Sequence, residues 1–145
     1  MKYYFAYGSN LNKDQMYCRC PESRKIGSFI LNGYRLLFRK HHKNGNCYLT
    51  IEKAADESVP IGIFEISDND EKTLDKREGV ETDCYKKEYI DIIFNGENIN
   101  GLVYIMVNPK KAAPQNDYYE RVKQGYNDFG FDLSYLEEAR QECEN

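Results

Sequence analysis

Hydrophobic and polar positions follow two regimes along the chain. Up to about residue 107, apolar residues come in short blocks broken by Gly, Asn and acidic residues; beyond it they recur at helical spacing. The first block, "KYYFAY" (2–7), is continuously apolar after Lys2, the pattern of a central strand buried on both faces. A short helical piece follows from Asn12, with "KDQMYC" behind it. Next come "KIGSFIL" (25–31), "YRLLFRK" (34–40), "CYLTIE" (47–52) and "VPIGIFEI" (59–66), separated by Asn-Gly, Asn-Gly and Ala-Asp-Glu-Ser. That spacing predicts four strands joined by short turns.

The stretch "SDNDEKTLDKREG" (67–79) breaks the strand pattern. Ser67 with Asp70 three residues on is a capping-box signature, and Gly79 is a natural stop, so a helix of roughly three turns is predicted with Glu78 at its C-terminal end. Two strands follow, "CYKKEYIDIIF" (84–94) and "INGLVYIMV" (99–107), with "NGENING" (95–101) supplying a hairpin turn. In the tail, Asp117 with Glu120 and Ser134 with Glu137 mark helix starts, and Gly125 and Gly130 punctuate the region between. The class is therefore α+β: a mixed or antiparallel sheet curled into a small β-barrel, with peripheral helices.

Composition narrows the function. A chain of 145 residues, 41% hydrophobic and 30% charged, fits one soluble domain with a real core. A net charge of −4 argues against nucleic acid and against an anionic membrane surface as partners. No apolar run is long enough to span a bilayer and no leader pattern precedes Tyr3, which makes a cytoplasmic protein the expectation. A homodimer is compatible with the pattern. The aromatic choice is skewed, with 13 Tyr and no Trp; tyrosine can line a cavity while offering a polar tip. The five cysteines are odd in number and scattered, and "CRC" (18–20) lacks zinc-site spacing, so reduced thiols are expected and no metal. "HHK" (41–43) lies in a polar turn and reads as a solvated loop.

Hydrolase and phosphate-loop motifs are missing, and two adjacent histidines in a turn make a nucleophile–His pair improbable. Catalysis would have to rest on carboxylates, tyrosines or backbone amides. Glu78 is the carboxylate to weigh, since a helix C-terminus carries partial negative charge. On residue physics alone, the simpler reading is a solvated side chain offset by Lys76 and Arg77. In an apolar, tyrosine-lined cavity, desolvation would instead raise its pKa and make it a proton shuttle. The stretch "YGSN" (7–10) is likewise double: an ordinary strand-ending turn, or a row of amides that could hold an anion.

Taken together, "YFAYGSNL" (4–11) and "LDKREGVETDCY" (74–85) resemble the signature segments of the γ-glutamylcyclotransferases. The resemblance runs on through "VPIGIFEIS", "GLVYIMV" and "APQNDYYERVKQGYNDFG" in the family's order, with one departure: Cys84 precedes Tyr85 where a larger apolar residue is expected. It implies the family's small β-barrel with peripheral helices. It implies Glu78 as catalytic acid/base, Tyr7, Gly8, Ser9, Asn10 and Leu11 as substrate-binding loop, and Tyr85, Tyr104 and Tyr118 as cavity tyrosines. The reaction implied converts a γ-glutamyl amino acid, peptide or amine to 5-oxoproline and a free amine, with no cofactor. The alternative is a non-catalytic module on the same fold that binds a small metabolite. Cavity width would depend on the loops at 41–47 and 108–117, and Cys47 lies in a strand that could border the cavity.

Overall fold

The computed structural model describes residues 2–41 and 45–144. Strand β1 (Lys2–Ala6) lies inside a six-stranded mixed sheet, between β3 (Cys47–Ile66) and β5 (Glu97–Met106). It runs antiparallel to β3, with Tyr4 opposite Phe64, and parallel to β5, with Tyr4 opposite Leu102. Covered on both faces, Tyr4, Phe5 and Ala6 are buried, as the continuous apolar run predicts. Phe5 lies on Gly101 of β5, where an added Cβ would fall 2.3 Å from the ring, and it meets Phe29 edge-on at 5.1 Å. Burying such a side chain is worth about 1.5–3 kcal/mol.

The four predicted strands between residues 25 and 66 are two long ones. Strand β2 (Arg24–Lys40) pairs with β3 from Lys40↔Cys47 to Arg24↔Glu65. The register shifts between Asn32↔Ser58 and Tyr34↔Lys53, where Gly33 (φ 84) and Asp56 (φ 66) adopt positive φ. Asn32-Gly33 and Ala55-Asp56-Glu57-Ser58 thus serve a bulge inside one ribbon, not turns between strands. A bulge uses the same left-handed backbone as a turn and bends the ribbon, so the sheet curls into a half-barrel. Strand β4 (Tyr85–Phe94) joins β5 through Asn95 (φ 51) and Gly96 (φ 81), the pair of positive φ values that a two-residue hairpin turn requires. The short β6 (Lys110–Lys111) pairs with the end of β2.

Helix α1 (Lys13–Arg19) is capped by Asn12, whose side chain accepts from the Gln15 amide. Helix α2 (Asp68–Arg77) starts with the predicted capping box, Ser67 and Asp70 each satisfying the other's amide, and stops at Gly79 (φ 65). Helix α3 (Asn116–Phe129) ends at Gly130 (φ 72), and α4 (Ser134–Glu144) is tied to β2 by a two-pronged Arg39–Glu142 pair at 2.7 and 2.8 Å. No helix among the described residues is long and apolar enough to cross a membrane.

Gly125 does not punctuate; it lies inside α3. An added Cβ there would fall 2.6 Å from the Asn12 nitrogen and 2.7 Å from the Leu11 carbonyl carbon. The helix therefore docks backbone-first on the turn that follows β1. Gly125→Ala tests this contact. Helix propensity alone would stabilise that variant by about 1 kcal/mol, but a main-chain clash forces the turn or the helix to move. We expect a net loss of about 1–3 kcal/mol in chemical denaturation; a gain in stability would show that the contact yields freely.

Candidate active site

A cavity of about 260 Å³ opens where β1, α1, α2 and α3 converge on the mouth of the half-barrel. Tyr7, Gly8, Ser9, Asn10, Glu78, Tyr85, Tyr104 and Tyr118 all line it, so eight of the nine residues singled out from sequence meet there. Leu11 does not. Its side chain is fully buried, packed toward Gly62 and Gly125, and it anchors the turn in the core.

Residues Ser9–Leu11 form one 3₁₀ turn preceded by Gly8. Gly8 has a negative φ (−122°), and a Cβ there would meet only the Tyr118 hydroxyl at 3.5 Å and Leu49 at 3.6 Å, ordinary contact distances. The glycine keeps the cavity wall bare. The loop's polar side chains point back into the protein. Gln15 Nε2 donates to Ser9 Oγ (2.7 Å) and Asn10 Oδ1 (3.0 Å), Arg19 Nη1 donates to Asn10 Oδ1 (3.1 Å), and Asn10 Nδ2 donates to the Tyr4 hydroxyl (3.0 Å). Leu11 and Asn12 return their amides to Gly8 and Ser9, whereas those of Gly8, Ser9 and Asn10 have no acceptor among the described residues. Such a row of amides is an anion-binding concavity.

The cavity tyrosines divide by what their hydroxyls do. Tyr7 donates to the Tyr104 carbonyl (2.5 Å), Tyr85 to the Leu49 carbonyl (2.9 Å), and Tyr104 to Asp75 Oδ1 (2.7 Å). Those three protons are committed to the protein. Tyr118 instead accepts from the Leu49 amide (3.1 Å) and Tyr4 accepts from Asn10, which leaves each with an O–H to give. Burial raises the pKa of all five, so every one stays neutral near pH 7. Asp75 also pairs with Lys87 (3.0 Å), which bonds Glu71, and Glu71 accepts from Lys2 (2.5 Å). This chain of charges ties α2, from its first turn to its last, to Lys2 of β1 and Lys87 of β4.

Glu78 is the C-cap of α2, its amide bonded to the Leu74 carbonyl (2.8 Å). It is half-buried, and its carboxyl faces the cavity without an ion-pair partner among the described residues. Burial pushes its pKa up to about 7, and the Arg19 guanidinium only partly opposes the rise. The reading of a solvated carboxylate offset by Lys76 and Arg77 therefore does not hold. Cys84 sits beneath the turn that carries Glu78: its amide donates to the Gly79 carbonyl (3.0 Å), and a Cβ on Gly79 would lie 3.0 Å from its sulfur. A larger side chain at 84 would lift that turn, which accounts for the small residue there.

Other expectations need correction. His41 is buried, stacked on Tyr48 (5.9 Å) and edge-on to Tyr85 (6.3 Å), so it is not part of a solvated loop; His42 and Lys43 lie outside the described residues. Cys47 is buried behind the cavity wall, its thiol directed at the Ala112 carbonyl (3.3 Å) and pushed up by burial to about 12. Among the described residues no group of three or more His, Cys, Asp or Glu could hold a metal ion. Arg19, Arg121, Tyr4 and Tyr48 also line the cavity and were not expected. The one sequence signal was Arg121, a helical turn beyond Tyr118 and hence on the same face of α3.

The raised Glu78 pKa makes a sign-specific prediction. Folding favours the protonated acid, so this site's contribution to stability is full below the unfolded pKa and is lost as pH rises through about 7. Glu78→Gln should therefore gain about 1–3 kcal/mol over the parent between pH 4 and pH 8. Parallel thermal melts of the two proteins across that range check it, and a constant difference between them would place the Glu78 pKa in the ordinary range.

Known proteins resemble this chain in sequence and in fold. The family model "Gamma-glutamyl cyclotransferase, AIG2-like" matches residues 4–127. The chain is 25% identical over 143 residues to a human gamma-glutamylcyclotransferase, covering 94% of this chain and 76% of the relative. It is 25% identical over 139 residues to the Bos taurus gamma-glutamylcyclotransferase, covering 91% and 73%. A solved structure named gamma-glutamyl cyclotransferase superimposes with a TM-score of 0.86 at 24% identity, covering 95% of this chain and 85% of that one, and shows the same fold. The chain belongs to the gamma-glutamyl cyclotransferase, AIG2-like family.

Proposed function

We propose that the protein converts γ-glutamyl compounds to 5-oxoproline and a free amine, with Glu78 as the proton shuttle. The observation that carries this reading is a carboxyl with its pKa near 7, across one cavity from three uncommitted backbone amides. Two relatives named gamma-glutamylcyclotransferase support it.

The substrate brings its own nucleophile. Its α-amine attacks the γ-carbonyl carbon, a C–N bond closes the five-membered lactam, and the C–N bond to the leaving amine breaks. Ring closure provides proximity that intramolecular systems value at about 7–11 kcal/mol. The α-nitrogen sheds two of its three protons and the departing nitrogen gains two, leaving as an ammonium, so protons balance. A carboxylate with a pKa near 7 can take a proton from the α-ammonium and return one to the leaving nitrogen, a role typically worth about 10²–10⁴-fold. The Gly8–Asn10 amides bind the substrate and stabilise the oxyanion that develops at the γ-carbonyl. Tyr118, with its proton free beside Gly8, is a further donor to the reacting amide.

Glu78→Gln is the decisive variant. It should fold and yet release 5-oxoproline at least about 10²-fold more slowly across a panel of γ-glutamyl substrates. In the parent, kcat/KM should rise with pH through about 7, as Glu78 becomes the carboxylate that accepts the proton. Full activity in the variant would remove Glu78 from the mechanism. Should the parent release no 5-oxoproline while a γ-glutamyl compound raises its melting temperature, the protein is a binding module. Tyr118→Phe should slow turnover about 10- to 100-fold, the loss of one hydrogen bond to developing charge. Tyr85→Phe, which removes a donor already committed to Leu49, should lower the melting temperature instead.

A further inference from the structure

The chain has seven arginines, and the four outside the cavity are all ion-paired: Arg24 with Glu65, Arg35 with Glu52, Arg39 with Glu142 and Arg140 with Glu144. The other three, Arg19, Arg77 and Arg121, all line the cavity, and none has an ion-pair partner among the described residues. They come from three separate helices, α1, α2 and α3. They are close enough that Arg77 and Arg121 add to burial in lowering the Arg19 pKa. Among the described residues that line the cavity, Glu78 is the only carboxylate. Three cations thus face one acid, in a chain whose net charge is −4.

Arg19 has a structural duty, donating to Asn10 inside the loop. Arg77 and Arg121 have none of that kind: both side chains are exposed, one at the end of α2 and the other on α3. A γ-glutamyl unit carries one ammonium and one carboxylate and cannot answer this surplus. The balance has to come from the other half of the substrate. We propose that Arg77 and Arg121 select a leaving group that bears carboxylate, so that γ-glutamyl amino acids and peptides are preferred to γ-glutamyl conjugates of uncharged or cationic amines, the preference growing with the leaving group's negative charge. Guanidinium suits this task because its planar fork pairs with carboxylate and keeps its charge at any working pH. The inference rests on the cyclotransferase reading for its kinetic test.

The test is a series of γ-glutamyl conjugates that differ in leaving-group charge: glutamate, alanine, alaninamide and 1,4-diaminobutane. The parent protein should show kcat/KM falling in that order, by at least about fivefold from alanine to alaninamide, chiefly through KM, as expected for partly exposed ion pairs. Arg121→Gln and Arg77→Gln should each shrink the alanine-to-alaninamide ratio, and added salt should shrink it in the parent. Ratios within about twofold across the series, or unmoved by both variants, would overturn the selection. If no conjugate releases 5-oxoproline, the cyclotransferase reading fails by itself, and charge selection is read from binding. A larger rise in melting temperature with γ-glutamylalanine than with its amide, abolished by Arg121→Gln, supports it, and equal rises reject it.

Discussion

Helix α3 and the turn that follows β1 touch backbone to backbone at Gly125, and the arrangement around the cavity follows from that contact. The turn is fixed from the other side by β1, an interior strand with neighbours on both edges. Pinned between strand and helix, the 9–11 turn has little freedom, and its polar side chains are held by Gln15, Arg19 and Tyr4. The same helix carries Tyr118 and Arg121, so amides, hydroxyl and guanidinium are positioned by one docking event. A turn held this way has its amides fixed by packing and hydrogen bonds within the protein itself.

The acid arrives from the opposite wall at the cost of local stability. A carboxylate at a helix C-terminus is disfavoured by the helix dipole, by about 0.3–1 kcal/mol where exposed, and burial makes it worse. The chain sustains this because the turn after Glu78 is otherwise well made. Gly79 takes the left-handed conformation, Cys84 returns an amide to its carbonyl, and the Lys2–Glu71–Lys87–Asp75 chain secures the helix that leads to it. Good structure surrounds one unfavourable group, a common arrangement where a pKa has to be moved.

Much of this was legible in the sequence, and the failures share a physical origin. Central burial of β1, the α2 capping box, the stop at Gly79 and the 95–96 hairpin turn are local matters, set by residues within a few positions of one another. Asn32-Gly33 and the 55–58 stretch were misread as turns because the left-handed conformations they favour serve a bulge equally well, and only the partner strand decides. Gly125 and Leu11 were misread because their roles lie in contacts between distant segments. His41 was assigned to solvent from its polar neighbours, yet Tyr48 and Tyr85 cover it. For the site, the motif residues were readable and the arginines were not, since nothing local distinguishes a paired arginine from an unpaired one.

Net charge, too, is a sum over distant segments. A total of −4 describes what the whole surface would attract and says nothing about a cavity of molecular size. Fields are screened within about 8–10 Å at ordinary ionic strength, so a small ligand feels the groups that line its cavity and little else. There the tyrosines matter by what they omit. Tyr4, Tyr7, Tyr85, Tyr104 and Tyr118 furnish polar walls without adding charge, because burial keeps their hydroxyls protonated. Among the described cavity-lining residues, charge is therefore carried by Arg19, Arg77, Arg121 and Glu78. In the acid form of Glu78 and in the carboxylate form alike, the charges on these four residues sum to a positive value. An anion held there is stabilised whichever form Glu78 is in.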